Sequence, residues 1–180
     1  MKLKLVAKKF QAKLKKIKVV ALDVDGILTD CKIQWIGQEV GFNRSFNVYD
    51  GFGMKMLMEA GIKVGVISGG NSTSLIKRVE QLGLSFSYLG DEDKRKAFLD
   101  LLKRYKVSEK EVLYMGDELF DVPILKKAGF SATVPNTSDE VKNEVDYITI
   151  KESGQGCVRE VIDLVRYAQG IKPNILDFHD

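Results

Sequence analysis

Short apolar runs along the chain alternate with longer segments that carry a helical pattern. The runs are rich in β-branched residues and lack polar alternation, which is typical of strands covered on both faces. The predicted strands are 17–23, 62–68, 111–117, 130–134 and 147–150, with a short additional strand and a loop within 87–93. The predicted helices are 51–60, 72–82, 93–105, 119–128 and 157–169. This order predicts an α/β domain with a mainly parallel sheet and helices on both faces.

The segment 31–49 interrupts the alternation. Two short strand-like runs flank the glycines at 37 and 41, which predicts a β-hairpin flap inserted after the first strand. A segment of this length forms a flap but not a separate cap domain. The 180 residues fit one ordinary domain, and no stretch has the composition of a flexible linker. We therefore expect a single domain over 1–180, with a basic helix at 1–16 and a C-terminal tail at 171–180.

Charge is distributed unevenly. The net charge is +3, but residues 2–18 contain eight lysines and no acid, and the remainder has 20 basic against 25 acidic residues. This start fits a basic amphipathic helix that binds a membrane or nucleic acid. It also fits a solvated helix that docks its apolar residues on the domain, and the absence of arginine and the scarcity of aromatics favour this second interpretation. The docking residues would be Leu3, Val6, Phe10 and Leu14. We expect no membrane or nucleic-acid partner.

The remaining composition limits the chemistry. The hydrophobic content of 44% is enough for a sizeable core and argues against a disordered chain. Cys31 and Cys157 have neither metal-ligand spacing nor the pattern of a disulfide framework. No apolar stretch has transmembrane length and no signal peptide precedes the domain, so we expect the cytoplasm. His179 is the sole histidine and lies beside the C-terminus, which argues against a histidine triad or a zinc site.

Polar clusters follow three of the predicted strands. The stretch "VVALDVDGILTD" places Asp23 and Asp25 after the first strand, Ser68 and Gly69 end the second, and Asp117 ends a later one. The carboxyl ends of parallel strands meet at one sheet edge, where ligands bind. Buried carboxylates are costly unless they are paired or bind a metal. The sequence therefore predicts a functional site at this edge.

The acidic residues indicate two kinds of chemistry. Asp23 and Asp25 point the same way, so that one can act as a nucleophile and the other can transfer protons. Asp117, with Asp121 one helical turn further on, adds carboxylates that repel one another unless a cation joins them. Oxygen ligands suit Mg²⁺. Helix capping remains an alternative for Asp117, and Asp121 is equally compatible with a supporting role beside the metal.

Ser68, Gly69 and Lys94 are the candidates for binding an anion. The turn after the second strand offers a hydroxyl and exposed amides at a helix start, although a plain capped turn fits equally well. Lys94 begins a long helix, where cations are disfavoured. If it points into the site, it neutralises a phosphoryl group; otherwise it is a solvated surface charge.

The order Asp-x-Asp, Ser, Lys and Gly-Asp-x-x-x-Asp resembles the haloacid dehalogenase (HAD) phosphatase superfamily over nearly the whole chain after residue 17. The motifs "DVDGILTD", "FNVYDGFG", "GDELFDVPILKKAG" and "GCVREVIDLVRYAQG" resemble the subgroup that dephosphorylates 3-deoxy-D-manno-octulosonate 8-phosphate (KDO 8-phosphate). The resemblance implies a Rossmann-like HAD domain without a cap, a Mg²⁺ cofactor, a homotetramer and a role in lipopolysaccharide precursor synthesis. Close relatives act on nine-carbon sialic-type sugar 9-phosphates, so that substrate or another small phosphomonoester stays open.

The resemblance also implies roles for residues. Asp23 attacks phosphorus and becomes an aspartyl phosphate, while Asp25 protonates the leaving sugar oxygen and then activates water. Mg²⁺ binds Asp23, the backbone carbonyl of Asp25 and Asp117, with Asp121 in support. The residues that hold the phosphoryl oxygens are Ser68, Gly69 and Lys94. The substrate-binding candidates are Asp50, within "FNVYDGFG", and Arg78.

Three positions depart from the subgroup's common pattern. Gly70, Tyr49 and Gln155 stand where the subgroup commonly has a basic residue. Arginine pairs bidentately with carboxylates and phosphates, and KDO carries a carboxylate. The candidates to replace these basic residues are Arg44, Arg78 and Lys151.

Receiver-type signalling domains also use a phosphorylatable aspartate and Mg²⁺. They place an acidic pair on the first strand and the acceptor on a later one, and this chain has the opposite order. A non-catalytic protein with this fold would not be expected to keep the full set of acids, serine and lysine.

Overall fold

The computed structural model describes residues 2–175 and 177. Leu176 and residues 178–180 lie outside the described part, so the predictions about the tail 171–180 and about His179 fall partly there. Six parallel strands form one sheet in the order β5-β4-β1-β6-β7-β8, and β2 and β3 form an antiparallel hairpin. The strands are β1 (Val19–Leu22), β2 (Gln34–Trp35), β3 (Phe42–Asn43), β4 (Lys63–Ser68), β5 (Phe86–Leu89), β6 (Val112–Met115), β7 (Phe130–Thr133) and β8 (Tyr147–Ile148).

Eight α-helices connect or flank these strands in the described part of the chain. They are α1 (Lys2–Lys9), α2 (Gln11–Leu14), α3 (Val48–Glu59), α4 (Thr73–Leu82), α5 (Arg95–Tyr105), α6 (Val122–Leu125), α7 (Asp139–Lys142) and α8 (Cys157–Gln169). Short 3-10 turns span Glu109–Glu111 and Leu119–Asp121. No described helix is both long and apolar enough to cross a membrane.

The sheet is covered on both faces, and β1 shows why its sequence is continuously apolar. Val20 and Leu22 face the core that α1, α2, α3, α4 and α8 complete. Val19 and Ala21 face a second core with α5, α6 and α7. Successive strand residues point to opposite faces, so a strand between two helical layers needs an apolar residue at every position. The predicted α/β class, with a hairpin flap and no cap domain, is confirmed.

The lysine-rich start docks on the domain. Leu14 is fully buried in the larger core, and Leu3, Val6 and Phe10 pack against the same core. The expected single helix is divided at Phe10, whose backbone leaves the helical conformation. The Nζ atom of Lys13 lies 2.5 Å from Oδ1 of Asp146, which ties α2 to the loop before β8.

Several element boundaries differ from prediction for local reasons. The helix predicted over 119–128 is a 3-10 turn followed by one short turn of α6, which has Pro123 at its start. The helix α3 begins earlier than predicted because the Asn47 side chain accepts a hydrogen bond from the backbone amide of Tyr49. The short helix α7 was not predicted. In the flap, the rings of Trp35 and Phe42 pack edge to face across the hairpin.

Candidate active site

Three buried carboxylates meet where neighbouring strands end. Asp23 follows β1 and Asp117 follows β6, which pairs with β1 in parallel. Asp121 lies on the 3-10 turn after β6. One ligand atom from each of the three lies within 4.8 Å of the others, and all three residues are buried. The parallel register of β1 and β6 therefore brings these acids to one place.

The electrostatics of this cluster favour a cation. Burial, followed by the charge of Asp121, raises the pKa of Asp23 to about 7. Burial, followed by the charge of Asp23, raises the pKa of Asp117 to about 8. The buried Oδ1 atom of Asp117 has no hydrogen-bond partner. Clustered oxygen donors of this kind fit a divalent cation such as Mg²⁺, which removes the cost of burying several carboxylates together.

Asp121 is already saturated with donors. Its Oδ1 accepts hydrogen bonds from the Tyr114 hydroxyl at 2.6 Å and from Lys94 Nζ at 2.7 Å. Its Oδ2 accepts from the backbone amides of Asp117 and Glu118 at 3.1 and 3.2 Å. With both oxygens engaged, Asp121 acts best by orienting Lys94 and the backbone at Asp117.

Lys94 points into the site and is 1% exposed. Its Nζ atom lies 2.8 Å from Oδ1 of Asp23 and 2.7 Å from Oδ1 of Asp121. It also lies 4.5 Å from the centroid of the Phe120 ring. The alternative of a solvated surface charge is wrong, because the side chain is enclosed by carboxylates and an aromatic face.

Ser68 and Gly69 lie at the same carboxyl-terminal edge of the sheet, at the end of β4, which flanks β1 on the side opposite β6. Ser68 ends β4, which also pairs with β1, and its side chain is buried. Its hydroxyl accepts a hydrogen bond from the backbone amide of Gly70 at 3.1 Å. The structure thus brings Ser68, Asp23 and Lys94 to one edge, where a hydroxyl and an ammonium group can face the same anion.

The Asp25 side chain lies outside the three-carboxylate cluster. Both of its oxygens accept hydrogen bonds from Arg44, from Nε at 2.7 Å and from Nη2 at 2.8 Å. The expected metal contact of Asp25 involves its backbone carbonyl and stays a prediction. The sequence identified Arg44 only as a possible replacement for missing basic residues, and nothing in its spacing indicated this pairing.

Asp50 and Arg78 form a different set of contacts. Oδ1 of buried Asp50 accepts a hydrogen bond from the backbone amide of Arg159, in the first turn of α8, at 2.6 Å. Burial raises the pKa of Asp50 to about 6. Arg78 donates to the backbone carbonyl of Asn47 at 3.1 Å. These contacts join α3, α4 and α8, and a substrate role for either residue stays a prediction.

Two further neighbours of Asp117 were not anticipated. The Cys31 thiol lies 3.8 Å from Oδ2 of Asp117, and the Thr137 hydroxyl donates to the Asp117 backbone carbonyl. Both come from loops that are distant in sequence. No motif in the sequence marks either one.

Comparisons with known proteins agree with this geometry. The sequence profile of the haloacid dehalogenase-like hydrolase family matches residues 88–162. The 3-deoxy-D-manno-octulosonate 8-phosphate phosphatase of Haemophilus influenzae is 39% identical over 93% of this chain and 92% of its own. A crystal structure of 3-deoxy-D-manno-octulosonate 8-phosphate phosphatase from Moraxella catarrhalis contains magnesium ion, phosphate ion and KDO. Its chain is 37% identical to this one and superposes with a TM-score of 0.86, over 91% of this chain and 93% of that chain. A cobalt-bound structure from Haemophilus influenzae is 40% identical with a TM-score of 0.82, covering 88% and 92%.

The phosphatase relatives and the family match identify the chain as a phosphomonoester hydrolase of the haloacid dehalogenase-like class. The parallel sheet, the acidic cluster and the buried lysine fit that class. The sequence identity to the Haemophilus influenzae phosphatase is 39% over most of both chains, so a particular family can be assigned within this class. The chain belongs to the 3-deoxy-D-manno-octulosonate 8-phosphate phosphatase family.

Proposed function

We propose that this protein is a Mg²⁺-dependent phosphatase that hydrolyses KDO 8-phosphate to KDO and inorganic phosphate. The observation that carries the proposal is the buried Lys94, paired with Asp23 and Asp121 beside an Asp117 oxygen that lacks a partner. This arrangement offers a nucleophile, a fixed positive charge and a cation site at one sheet edge. Membership of the KDO 8-phosphate phosphatase family indicates which sugar phosphate is the substrate.

In the proposed mechanism, a carboxylate oxygen of Asp23 forms a bond to phosphorus as the bond from phosphorus to the sugar oxygen breaks. Asp25 gives its proton to that leaving oxygen. Asp25 then takes a proton from water, whose oxygen attacks the phosphorus of the aspartyl phosphate. This second step releases inorganic phosphate and restores Asp23.

The other residues bind and orient the phosphoryl group. Lys94, Ser68 and the backbone amide of Gly69 hold its oxygens. Bound Mg²⁺ supplies charge neutralisation, and the Asp23 and Asp117 side chains with the Asp25 backbone carbonyl would hold it. Phosphoryl transfer depends mainly on this kind of positioning and neutralisation.

The test is phosphate release from KDO 8-phosphate, a nine-carbon sialic-type 9-phosphate and simple hexose phosphates, each with Mg²⁺ and with excess chelator. We expect a strong preference for KDO 8-phosphate and no turnover in chelator. Asp23→Asn should abolish turnover while the fold persists, and Asp100→Asn, an exposed acid of α5, is the matched control. A clear preference for the nine-carbon phosphate would replace the proposed substrate, and activity of Asp23→Asn would contradict the nucleophile.

We also propose that the protein works as a homotetramer in the cytoplasm and supplies KDO for lipopolysaccharide precursors. Both cysteines are free thiols, which suits a reducing compartment. Apolar side chains are exposed on the flap and the start of α3, as expected for a face that other subunits cover. They include Ile33, Trp35, Ile36, Val40, Phe42, Val48 and Phe52.

Sedimentation analysis tests the assembly. The wild type should sediment as a tetramer, and Trp35→Glu in the flap should dissociate it. Leu99→Glu replaces a similarly exposed apolar residue on α5 and should leave the assembly intact. A monomeric wild type would contradict the proposal.

A further inference from the structure

The guanidinium of Arg44 crosses from the flap to the catalytic edge of the sheet. Besides its two hydrogen bonds to Asp25, it donates from Nη1 to the Ser72 hydroxyl at 2.6 Å. The side chain is only 7% exposed. A bidentate pair of this kind is among the stronger interactions that an arginine forms. These hydrogen bonds and the low exposure fix the Arg44 side chain within the site, in contrast to a mobile surface charge.

Gly70 leaves the space that Arg44 occupies. A methyl group on Gly70 would lie 2.9 Å from Nη2 of Arg44, 3.3 Å from Oδ2 of Asp25 and 3.5 Å from the Ser68 hydroxyl. A side chain at position 70 would consequently require the Arg44 guanidinium to shift from its present position. The two residues also line one cleft of about 290 Å³ between the flap and the loop after β4.

The other two candidates for a replacement guanidinium or ammonium group have different contacts. Arg78 donates to the Asn47 carbonyl and to the Gln81 side chain. The Nζ atom of Lys151 lies beside Gly156, at the start of α8. Among these three candidates, Arg44 is the one with a hydrogen bond to a catalytic acid.

The Arg44 pair opposes the role of Asp25 as a general acid. A guanidinium bound to both oxygens favours the charged carboxylate, whereas a general acid needs a protonated oxygen directed at the leaving group. Release of Asp25 by Arg44 before the first chemical step would remove this opposition. An anionic oxygen of the substrate is a suitable new partner, because the guanidinium then exchanges one ion pair for another.

We propose that Arg44 is a specificity-determining residue that leaves Asp25 for an anionic oxygen of the substrate, and that Gly70 provides the room for it. The oxygen belongs either to the phosphoryl group or to the sugar carboxylate. Binding of the correct anion would at the same time free Asp25 to carry its proton. This inference rests on the proposed function and deepens it.

The test measures product inhibition in Arg44→Ala. We expect the inhibition constant to rise about 10- to 100-fold for the product that Arg44 binds, as the loss of hydrogen bonds to a charged group predicts. A rise for inorganic phosphate assigns the phosphoryl group, and a rise for KDO assigns the carboxylate. Unchanged inhibition constants for both products would overturn the proposal, even if kcat falls, because a residue that only positions Asp25 affects kcat alone.

A second variant tests the role of Gly70. Gly70→Arg in the Arg44→Ala background should restore most of the lost product binding, since it returns a guanidinium to the same space. In the wild-type background the same change should give no gain, because the two guanidinium groups compete. Arg44→Lys keeps the charge without the planar fork and should be intermediate. Arg104→Ala, an exposed arginine on α5, is the matched control.

The design separates the two proposals. If the wild type does not hydrolyse KDO 8-phosphate, the proposed substrate fails, and inhibition of p-nitrophenyl phosphate hydrolysis by inorganic phosphate and by KDO then tests Arg44. If the wild type hydrolyses KDO 8-phosphate and Arg44→Ala keeps both inhibition constants, only the Arg44 proposal fails.

Discussion

A methyl group on Gly26 would lie 1.8 Å from Oδ2 of Asp117. Gly26 follows β1 and Asp117 follows β6, so this close approach places the turn after β1 directly against the Asp117 carboxylate. Gly26 also has a φ angle of +94°, in the left-handed region that residues with a side chain rarely adopt. The glycine of "DVDG" is thus required by the turn and by the neighbouring carboxylate.

Gly26→Ala should displace Asp117 and lower activity by about 100-fold or more, because small misplacements of catalytic groups have effects of this size. Mg²⁺ affinity should fall in the same variant. Gly61→Ala is the matched control: its φ angle is +88°, and nothing lies within 4 Å of the added methyl group. Both variants should lose about 1–2 kcal/mol of stability from backbone strain. Full activity of Gly26→Ala would contradict the role of this contact.

Lys94→Met should inactivate the protein and destabilise it. The change leaves two buried carboxylates, Asp23 and Asp121, without their ammonium partner, and breaking a buried pair costs about 3–5 kcal/mol. Denaturant unfolding with excess chelator measures this cost. Lys96→Met makes the same replacement at an exposed position of α5 and should change neither stability nor turnover. Equal effects of the two variants would show that the Lys94 pairs contribute nothing.

Tyr114→Phe should weaken Mg²⁺ binding while leaving the nucleophile intact. The hydroxyl donates to Asp121 at 2.6 Å, and loss of a residue that orients a metal site typically lowers metal affinity about 10- to 100-fold. Activity should recover at saturating Mg²⁺. Tyr88→Phe removes a hydroxyl that donates to Asp100, also at 2.6 Å, and is the matched control. A Mg²⁺ titration curve identical to that of wild type would argue against the orienting role of Tyr114.

The sequence predicted the sheet and its functional edge because both depend on local pattern. Continuous apolar runs identify strands between two helical layers, and polar residues at their carboxyl ends identify the ligand edge. Asp23 and Asp117 follow such runs and Ser68 ends one, so the approximate positions of all three required no knowledge of packing.

The remaining features depend on long-range packing. Tyr114 belongs to an apolar strand and could not be distinguished from a core aromatic until its hydroxyl was located beside Asp121. Arg44 contacts Asp25 because the flap folds back toward the end of β1, which the sequence does not indicate. Asp50 lies in the motif "FNVYDGFG", which suggested a role in substrate binding. Its Oδ1 atom instead accepts a hydrogen bond from the backbone amide of Arg159, at the start of α8. Sequence patterns locate strand ends, but they do not determine which distant side chains meet there.

The metal-free protein should lose stability as pH rises from about 5 to about 8. Burial raises the pKa of Asp23 to about 7 and that of Asp117 to about 8, from 3.8 for an ordinary aspartate. Between these limits the folded state binds protons that the unfolded chain has released, so the free energy of unfolding decreases with pH. Asp50, whose pKa is raised to about 6, contributes with the same sign.

Mg²⁺ should oppose this loss, because it takes the place of the protons on Asp23 and Asp117. Thermal unfolding at pH 5, 6, 7 and 8, in chelator and in Mg²⁺, measures the effect. The midpoint in chelator should fall by several degrees over this range, and the gain from Mg²⁺ should be larger at pH 8 than at pH 5. Asp117→Asn removes one titrating group and should flatten the decline in chelator. A midpoint in chelator that stays constant or rises with pH would contradict the raised pKa values, and with them the argument that this cluster is built for a cation.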